Sequence, residues 1–114
     1  MAGTGRVIVT AGVIGWNPET LVIETDNFAS QVAQAFRNIR DILSAEGAGP
    51  EHLVRLTWYV TNRDEYVAAR PAIGLAYREV FGRNYPAMAV VIVSGLVEPQ
   101  AKVEIEATAV LPAP

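Results

Sequence analysis

The sequence predicts an α+β fold in which two helices pack on one face of a mixed sheet, with the order β-(β)-α-β-α-β-β. Three observations indicate it: apolar residues at helical spacing between residues 28 and 43, an apolar run at 53–60, and strict alternation at 102–110. Two helices on one face leave the opposite face uncovered, and another subunit can cover it.

The first third of the chain predicts one or two strands. Residues 6–11 form a β-branched run that ends at Gly12, as a strand does where the backbone turns. Residues 17–20, Asn-Pro-Glu-Thr, form a turn, and 21–24 are a candidate second short strand.

The long helix comes next, with Thr25 or Asp26 as its predicted N-cap and Gly47 as its end. Its apolar residues recur at helical spacing: Phe28, Val32, Ala35, Phe36, Ile39, Ile42 and Leu43.

The second half predicts a strand, an interrupted helix and two closing strands. Residues 53–60 are largely apolar on both faces, as in an interior strand. Asn62 is the predicted cap of a second helix, which Pro71 must kink or restart because proline cannot sit in a helix interior. The helix then ends at Gly82, and strands at 87–93 and 102–110 are joined by a hairpin or a loop at 98–100.

Composition narrows the classes of function. At 114 residues we expect a single domain over 1–114, and 51% hydrophobic residues with a mean hydropathy of +0.23 favour self-association. The absence of cysteine excludes a thiolate nucleophile and a disulfide framework. Nine basic against twelve acidic residues disfavour nucleic acid binding. No membrane-spanning run or signal-peptide pattern is present, so a cytoplasmic location is expected.

The last strand carries the candidate chemistry. Side chains alternate with period two, so Glu104 and Glu106 share one face and Val103 and Ile105 the other. Two interpretations stay open: an ordinary solvated sheet face, or a carboxylate in a cleft that orients a water molecule and exchanges protons with a leaving amine.

Several segments of the chain form a recognisable set: Pro86-Ala87, the strand at 103–110, Ala11-Gly12, Gln31, Gln34, Asn38, Ile39 and Gly47 on the long helix, and Tyr77 with Phe81 on the second. Together they resemble the RidA/YjgF family of reactive-intermediate deaminases. They cover roughly residues 6 to 110, although the family's Pro-Ala-Arg arginine is replaced by Met88.

The resemblance implies a chorismate mutase-like fold, a homotrimer with a barrel-like core, and small-molecule clefts between subunits. The family reaction hydrolyses enamine or imine acids to 2-oxo acids and ammonia, without a metal or organic cofactor. By family position, Glu104 handles the water and is the catalytic candidate. The substrate cleft falls at Ala11, Gly12, Gly74, Met88 and Val90.

The departures from the family concentrate in that cleft. Gly74 stands where the family has asparagine, and Val90 where it has a small polar residue or cysteine. About four extra residues precede Tyr77, around Arg70-Pro71. A replacement guanidinium can come from Arg83, the closest candidate in sequence, or from Arg6, Arg55 or Arg70.

Three functions therefore stay open. The first is a deaminase, a hydrolase of C=N bonds, with an altered substrate preference. The second is a non-catalytic ligand-binding or regulatory trimer. The third is an endoribonuclease or translation inhibitor, which the acidic composition disfavours.

Overall fold

The computed structural model describes residues 5–113. The signal-peptide prediction concerns residues 1–5, of which 1–4 lie outside this range. The described elements are β1 (Arg6–Val9), β2 (Val13–Ile14), α1 (Phe28–Ala45), a 3-10 turn (Pro50–His52), β3 (Leu53–Val60), α2 (Arg63–Ala68), α3 (Arg70–Phe81), β4 (Ala87–Ile92) and β5 (Val103–Leu111). None of the helices in this range is long and apolar enough to cross a membrane.

The strands form one mixed sheet in the order β1-β5-β3-β4, and β2 pairs with β5 beyond the end of β1. Strand β5 is antiparallel to β1, β2 and β3, whereas β3 and β4 are parallel and joined through α2 and α3. Because β3 lies between β4 and β5, the connection at 93–102 is a crossing loop and not a hairpin. The predicted α+β class is confirmed.

The second predicted strand was wrong. It lies at Val13–Ile14, whereas Val22 makes only an isolated bridge to Asn17. Leu21 has a φ of 58°, in the left-handed region, and its N–H bonds the carbonyl of Asn17 at 2.8 Å. This tight turn prevents an extended strand from starting there.

The ends of α1 are set by local hydrogen bonds. Asn27, and not the predicted Thr25 or Asp26, is the N-cap: its side chain accepts from the Ser30 N–H at 2.9 Å. The Thr25 hydroxyl accepts the N–H of Asn27 at 3.0 Å, so it bonds the capping residue and not the first turn of the helix. At the other end Gly47, at a φ of 77°, lets the Ala48 N–H reach the Leu43 carbonyl at 2.9 Å.

The predicted interruption of the second helix is confirmed. Asn62 caps α2 by accepting the Glu65 N–H at 2.9 Å. The chain restarts as α3 at Arg70, so that Pro71 lies in the first turn, where a missing N–H removes no helical hydrogen bond.

The core lies between the helices and one face of the sheet. Phe36 of α1 is fully buried, with its ring centroid 5.4 Å from that of Trp58 on β3 and 5.1 Å from that of Phe81 on α3. The opposite face, which we call the open face, is uncovered in the single chain: Val7 and Val9 are 66% and 69% exposed. Exposed valines on a sheet face are typical of a surface that another chain covers.

Candidate functional site

A β-bulge shapes the edge of the sheet between β1 and β2. Val9 pairs with Thr108 and Val13 with Ile105, so the outer strand has one more residue than β5 between these two pairs. The Thr10 hydroxyl accepts the Ala107 N–H at 3.0 Å and satisfies the donor that the extra residue leaves without a strand partner. The bulge carries the chain through Ala11 and Gly12 directly past Glu104.

Gly12 and Glu104 are in close contact. A Cβ atom on Gly12 would lie 2.5 Å from Cδ of Glu104, so only glycine lets the carboxylate take this position. Both residues, with Ala11, line a cavity of about 810 Å³ between the bulge, α1 and the loop before β5. The structure therefore brings together three of the residues that the sequence placed in the cleft.

The charged groups of this cavity are all acidic. Asp41 of α1 and Glu98 of the loop line it with Glu104, and no lysine or arginine is among its lining residues within 5–113. We call it the acidic cavity. Sequence reasoning missed Asp41 and Glu98, although Asp41 lies one turn after Asn38 on the same helical face and could have been found from that spacing.

Two buried amides of α1 bond neighbouring backbone groups, and Asn38 in this way holds a wall of the acidic cavity in place. Asn38 donates to the carbonyls of Ile14 at 3.1 Å and Trp16 at 2.9 Å. Gln31 accepts the Lys102 N–H at 2.8 Å and donates to the carbonyls of Thr25 and Gln100. Both side chains therefore act as structural hydrogen-bonding groups.

The two glutamates of β5 differ in their surroundings. The Tyr59 hydroxyl donates to Glu106 at 2.5 Å, and this hydrogen bond, with burial and the nearby charges of Glu106 and Glu104, raises the pKa of Tyr59. Within residues 5–113, the carboxylate of Glu104 receives no hydrogen bond from another side chain or from the backbone. Glu104 is thus the carboxylate available to a water molecule or ligand.

A second cavity, of about 330 Å³, lies at the β4 edge of the sheet and contains Gly74 and Met88. We call it the aromatic cavity because its walls include Trp58, Tyr66, Tyr77 and Tyr85. Burial raises the pKa of Tyr77 to about 12, and its hydroxyl donates to the Asn84 carbonyl.

Glu104 and Met88 point to opposite faces of the sheet. Met88 pairs with Leu56, which is fully buried under the helices, whereas Glu104 pairs with Tyr59 on the open face. Within one chain β3 separates their strands, so the two halves of the predicted cleft do not meet.

Val90 and Arg83, the two remaining predicted substrate-binding residues, lie apart from both cavities. Val90 packs against the core beside Trp58, and Arg83 is exposed in the loop after α3. Neither is among the lining residues of the acidic or the aromatic cavity.

Comparison with known proteins identifies the family. A family model described as Endoribonuclease L-PSP matches residues 1–111. A 2-iminobutanoate/2-iminopropanoate deaminase of Dermatophagoides farinae is 30% identical over 107 residues, which cover 94% of this chain and 80% of the relative.

Two solved structures show the same fold. A Rid family protein of unknown function from Yersinia pestis, YyfB, has 31% identity and a TM-score of 0.82 over 94% of this chain and 80% of its own. TdcF of E. coli with bound serine has 26% identity and a TM-score of 0.79 over 96% of this chain and 84% of its own. These define an α+β protein of the YjgF type. The chain belongs to the RidA/YjgF family.

Proposed function

We propose that this chain is a single-domain member of a homotrimer that hydrolyses an imine or enamine, with a substrate preference altered from that of its relatives. The reaction takes place in clefts between subunits and yields a carbonyl product and ammonia. The named activity of the Dermatophagoides farinae relative and the serine bound to TdcF support a small nitrogen-containing substrate.

The observation that carries the proposal is the separation of the two half-sites in one chain. Ala11, Gly12 and Glu104 line the acidic cavity, and Gly74 and Met88 line the aromatic cavity. A second copy that places its β4 edge against the acidic cavity of the first would unite them. The uncovered valines of the open face support such an assembly, since their burial would stabilise it.

The chemistry needs one carboxylate and one water molecule. Protonation of an enamine at carbon gives the imine, and water then adds to the C=N carbon. In our proposal Glu104 takes a proton from that water and passes it to nitrogen, which gives the carbinolamine. A second proton then passes from the carbinol hydroxyl through Glu104 to nitrogen, so that the C=O bond forms as the C–N bond breaks and ammonia leaves. The carboxylate is suited to this because it receives no hydrogen bond from residues 5–113.

The altered preference follows from Met88 and from the charge of the acidic cavity. Without an arginine at position 88, a substrate carboxylate loses a charge-assisted hydrogen bond worth roughly 1.5–3 kcal/mol, or about one to two decades of affinity. Asp41 and Glu98 also repel an anion from the side of Glu104. The substrate is therefore less anionic, or its carboxylate is held by another group.

The apolar Met88 at the arginine position also favours a second candidate, a trimer that binds a ligand without turnover. Endoribonuclease activity, which the family model's description names, is disfavoured because the acidic cavity repels phosphate.

The test is release of ammonia and carbonyl product from freshly generated 2-aminoacrylate and larger imines. Glu104→Gln should lower kcat/KM by roughly 100-fold or more. Glu106→Gln is the matched control, because Tyr59 already occupies that carboxylate, and its activity should stay within a few-fold of the wild type.

Two results would contradict the proposal. Equal activity in Glu104→Gln and wild type would remove the role of Glu104, and a lack of turnover with every imine would favour the binding protein. Light scattering should give about 37 kDa, three times the 12.3 kDa of one chain. A monomer mass would remove the cleft between subunits.

A further inference from the structure

The aromatic cavity has a flat, apolar wall that is partly open to solvent. Tyr85 is 67% exposed and stacks on the buried Tyr77, with ring centroids 5.4 Å apart and an angle of 11° between the planes. The thioether of Met88, 42% exposed, lines the same cavity. Aromatic faces and a flexible thioether are well suited to contact a planar apolar group.

The space in this cavity results from the absence of a side chain at position 74. A Cβ atom added to Gly74 would meet nothing within 4 Å. Gly74 and Met88 are also two of the positions at which the sequence departs from the family pattern, and both changes make this one cavity roomier or less polar. The volume of about 330 Å³ lies within the range of roughly 300–1,000 Å³ usual for small-molecule sites.

Two arginines without a carboxylate partner within residues 5–113 lie at the rim of this apolar space. Arg70 and Arg78 line the cavity and are exposed, so they lie at its rim, and neither is paired with a carboxylate within residues 5–113. The Arg70 guanidinium lies 5.6 Å from the ring centroid of Tyr66, which fixes its position by a cation–π contact.

Trp58 supplies a further donor. Its side chain lines the aromatic cavity and is 1% exposed, and its Nε1–H has no acceptor within residues 5–113. A buried donor without a partner is uncommon in folded proteins.

We propose that the aromatic cavity selects a 2-imino acid with an aromatic or similarly bulky apolar side chain. The side chain lies against Tyr85 and Met88 in the space above Gly74. The carboxylate binds Arg70 or Arg78, which replaces from α3 the guanidinium missing at position 88. This inference rests on the proposed deaminase function and names its substrate class.

The test is calorimetric titration of the full chain with phenylpyruvate, the stable 2-oxo counterpart of such a substrate. Phenylpyruvate should bind at least tenfold more tightly than pyruvate, which lacks the ring, or phenylacetone, which lacks the carboxylate. The double variant Arg70→Gln with Arg78→Gln should bind phenylpyruvate roughly tenfold or more weakly and phenylacetone unchanged. Arg63→Gln, which is outside the cavity, is the matched control and should bind both as the wild type does.

Filling the cavity gives an independent measurement. Gly74→Leu should abolish phenylpyruvate binding while the melting temperature is kept or raised, because leucine favours the helix more than glycine does. Undiminished binding in Gly74→Leu, equal affinity for pyruvate and phenylpyruvate, or a loss confined to Arg83→Gln would each overturn the proposal.

The outcomes also separate this inference from the proposed function. If Glu104→Gln and wild type both bind phenylpyruvate but no imine is hydrolysed, the proposed deaminase function is refuted and the ligand site is supported. If imines are hydrolysed by a Glu104-dependent reaction without preference for an aromatic side chain, the proposed deaminase function is supported and the selectivity assigned to this cavity is refuted.

Discussion

Replacing Gly12 with alanine tests whether catalysis depends on the position of Glu104. The added Cβ atom would lie 2.5 Å from Cδ of Glu104, whereas ordinary contacts begin at 3.4 Å, so the carboxylate must move by about 0.9 Å. A misplacement of about 1 Å can cost roughly 100-fold in rate. We therefore expect Gly12→Ala to lower kcat/KM by about that factor. The clash is with a side chain at the edge of a cavity, so the fold should be kept.

The assay is kcat/KM for imine hydrolysis, with the melting temperature as the measure of folding. Gly95→Ala is the matched control, because a Cβ atom there meets nothing within 4 Å. In a Glu104→Ala background Gly12→Ala should not lower kcat/KM further, because the carboxylate that the added methyl group displaces is absent. Wild-type activity in Gly12→Ala, or full additivity in the double variant, would refute the reasoning.

Three further predictions follow from the contacts. Gln31→Leu removes three hydrogen bonds and leaves the Lys102 N–H unpaired, so calorimetry should show a loss of about 3 kcal/mol and a melting temperature lower by about 10 °C; a loss of only a few degrees would contradict this. Burial raises the pKa of Tyr77 from 10.0 to about 12, so its contribution to stability is complete below pH 10 and is lost as the pH rises towards 12. Between pH 10 and 12 the free energy of unfolding, measured with urea, should fall less steeply with pH in Tyr77→Phe than in the wild type. Parallel pH dependence of the two proteins would contradict this explanation. Met88→Arg should raise activity on short imino acids roughly tenfold or more, and the lack of any gain would show that a guanidinium at this position does not reach the substrate carboxylate.

Local sequence patterns predicted most of the elements correctly. The spacing of apolar residues gave α1, and Pro71 marked the break between α2 and α3. The alternation along β5 placed Glu104 and Glu106 on the exposed side and Val103 and Ile105 in the core. These features depend on neighbours within a few positions, so the sequence contains the information directly.

Features set by competing local hydrogen bonds were less predictable. Three consecutive residues before α1 can all cap a helix, and Asn27 does so because Thr25 accepts its N–H and fixes the approach of the chain. The second strand is only two residues long, and its pairing with β5 depends on the bulge at Thr10. No periodicity develops over so short a segment.

The sequence alone determined the fold class, the resemblance to the family and the identity of Glu104 as the candidate carboxylate. Only the tertiary structure decided that Glu104 and Met88 face opposite sides of the sheet, that Gly12 contacts the carboxylate, and that Arg70 rather than Arg83 lines the cavity of Met88. The physical reason is that helix and strand periodicity act over neighbouring residues. The order of strands and the walls of a cavity arise from pairings between residues distant in sequence, such as β1 with β5.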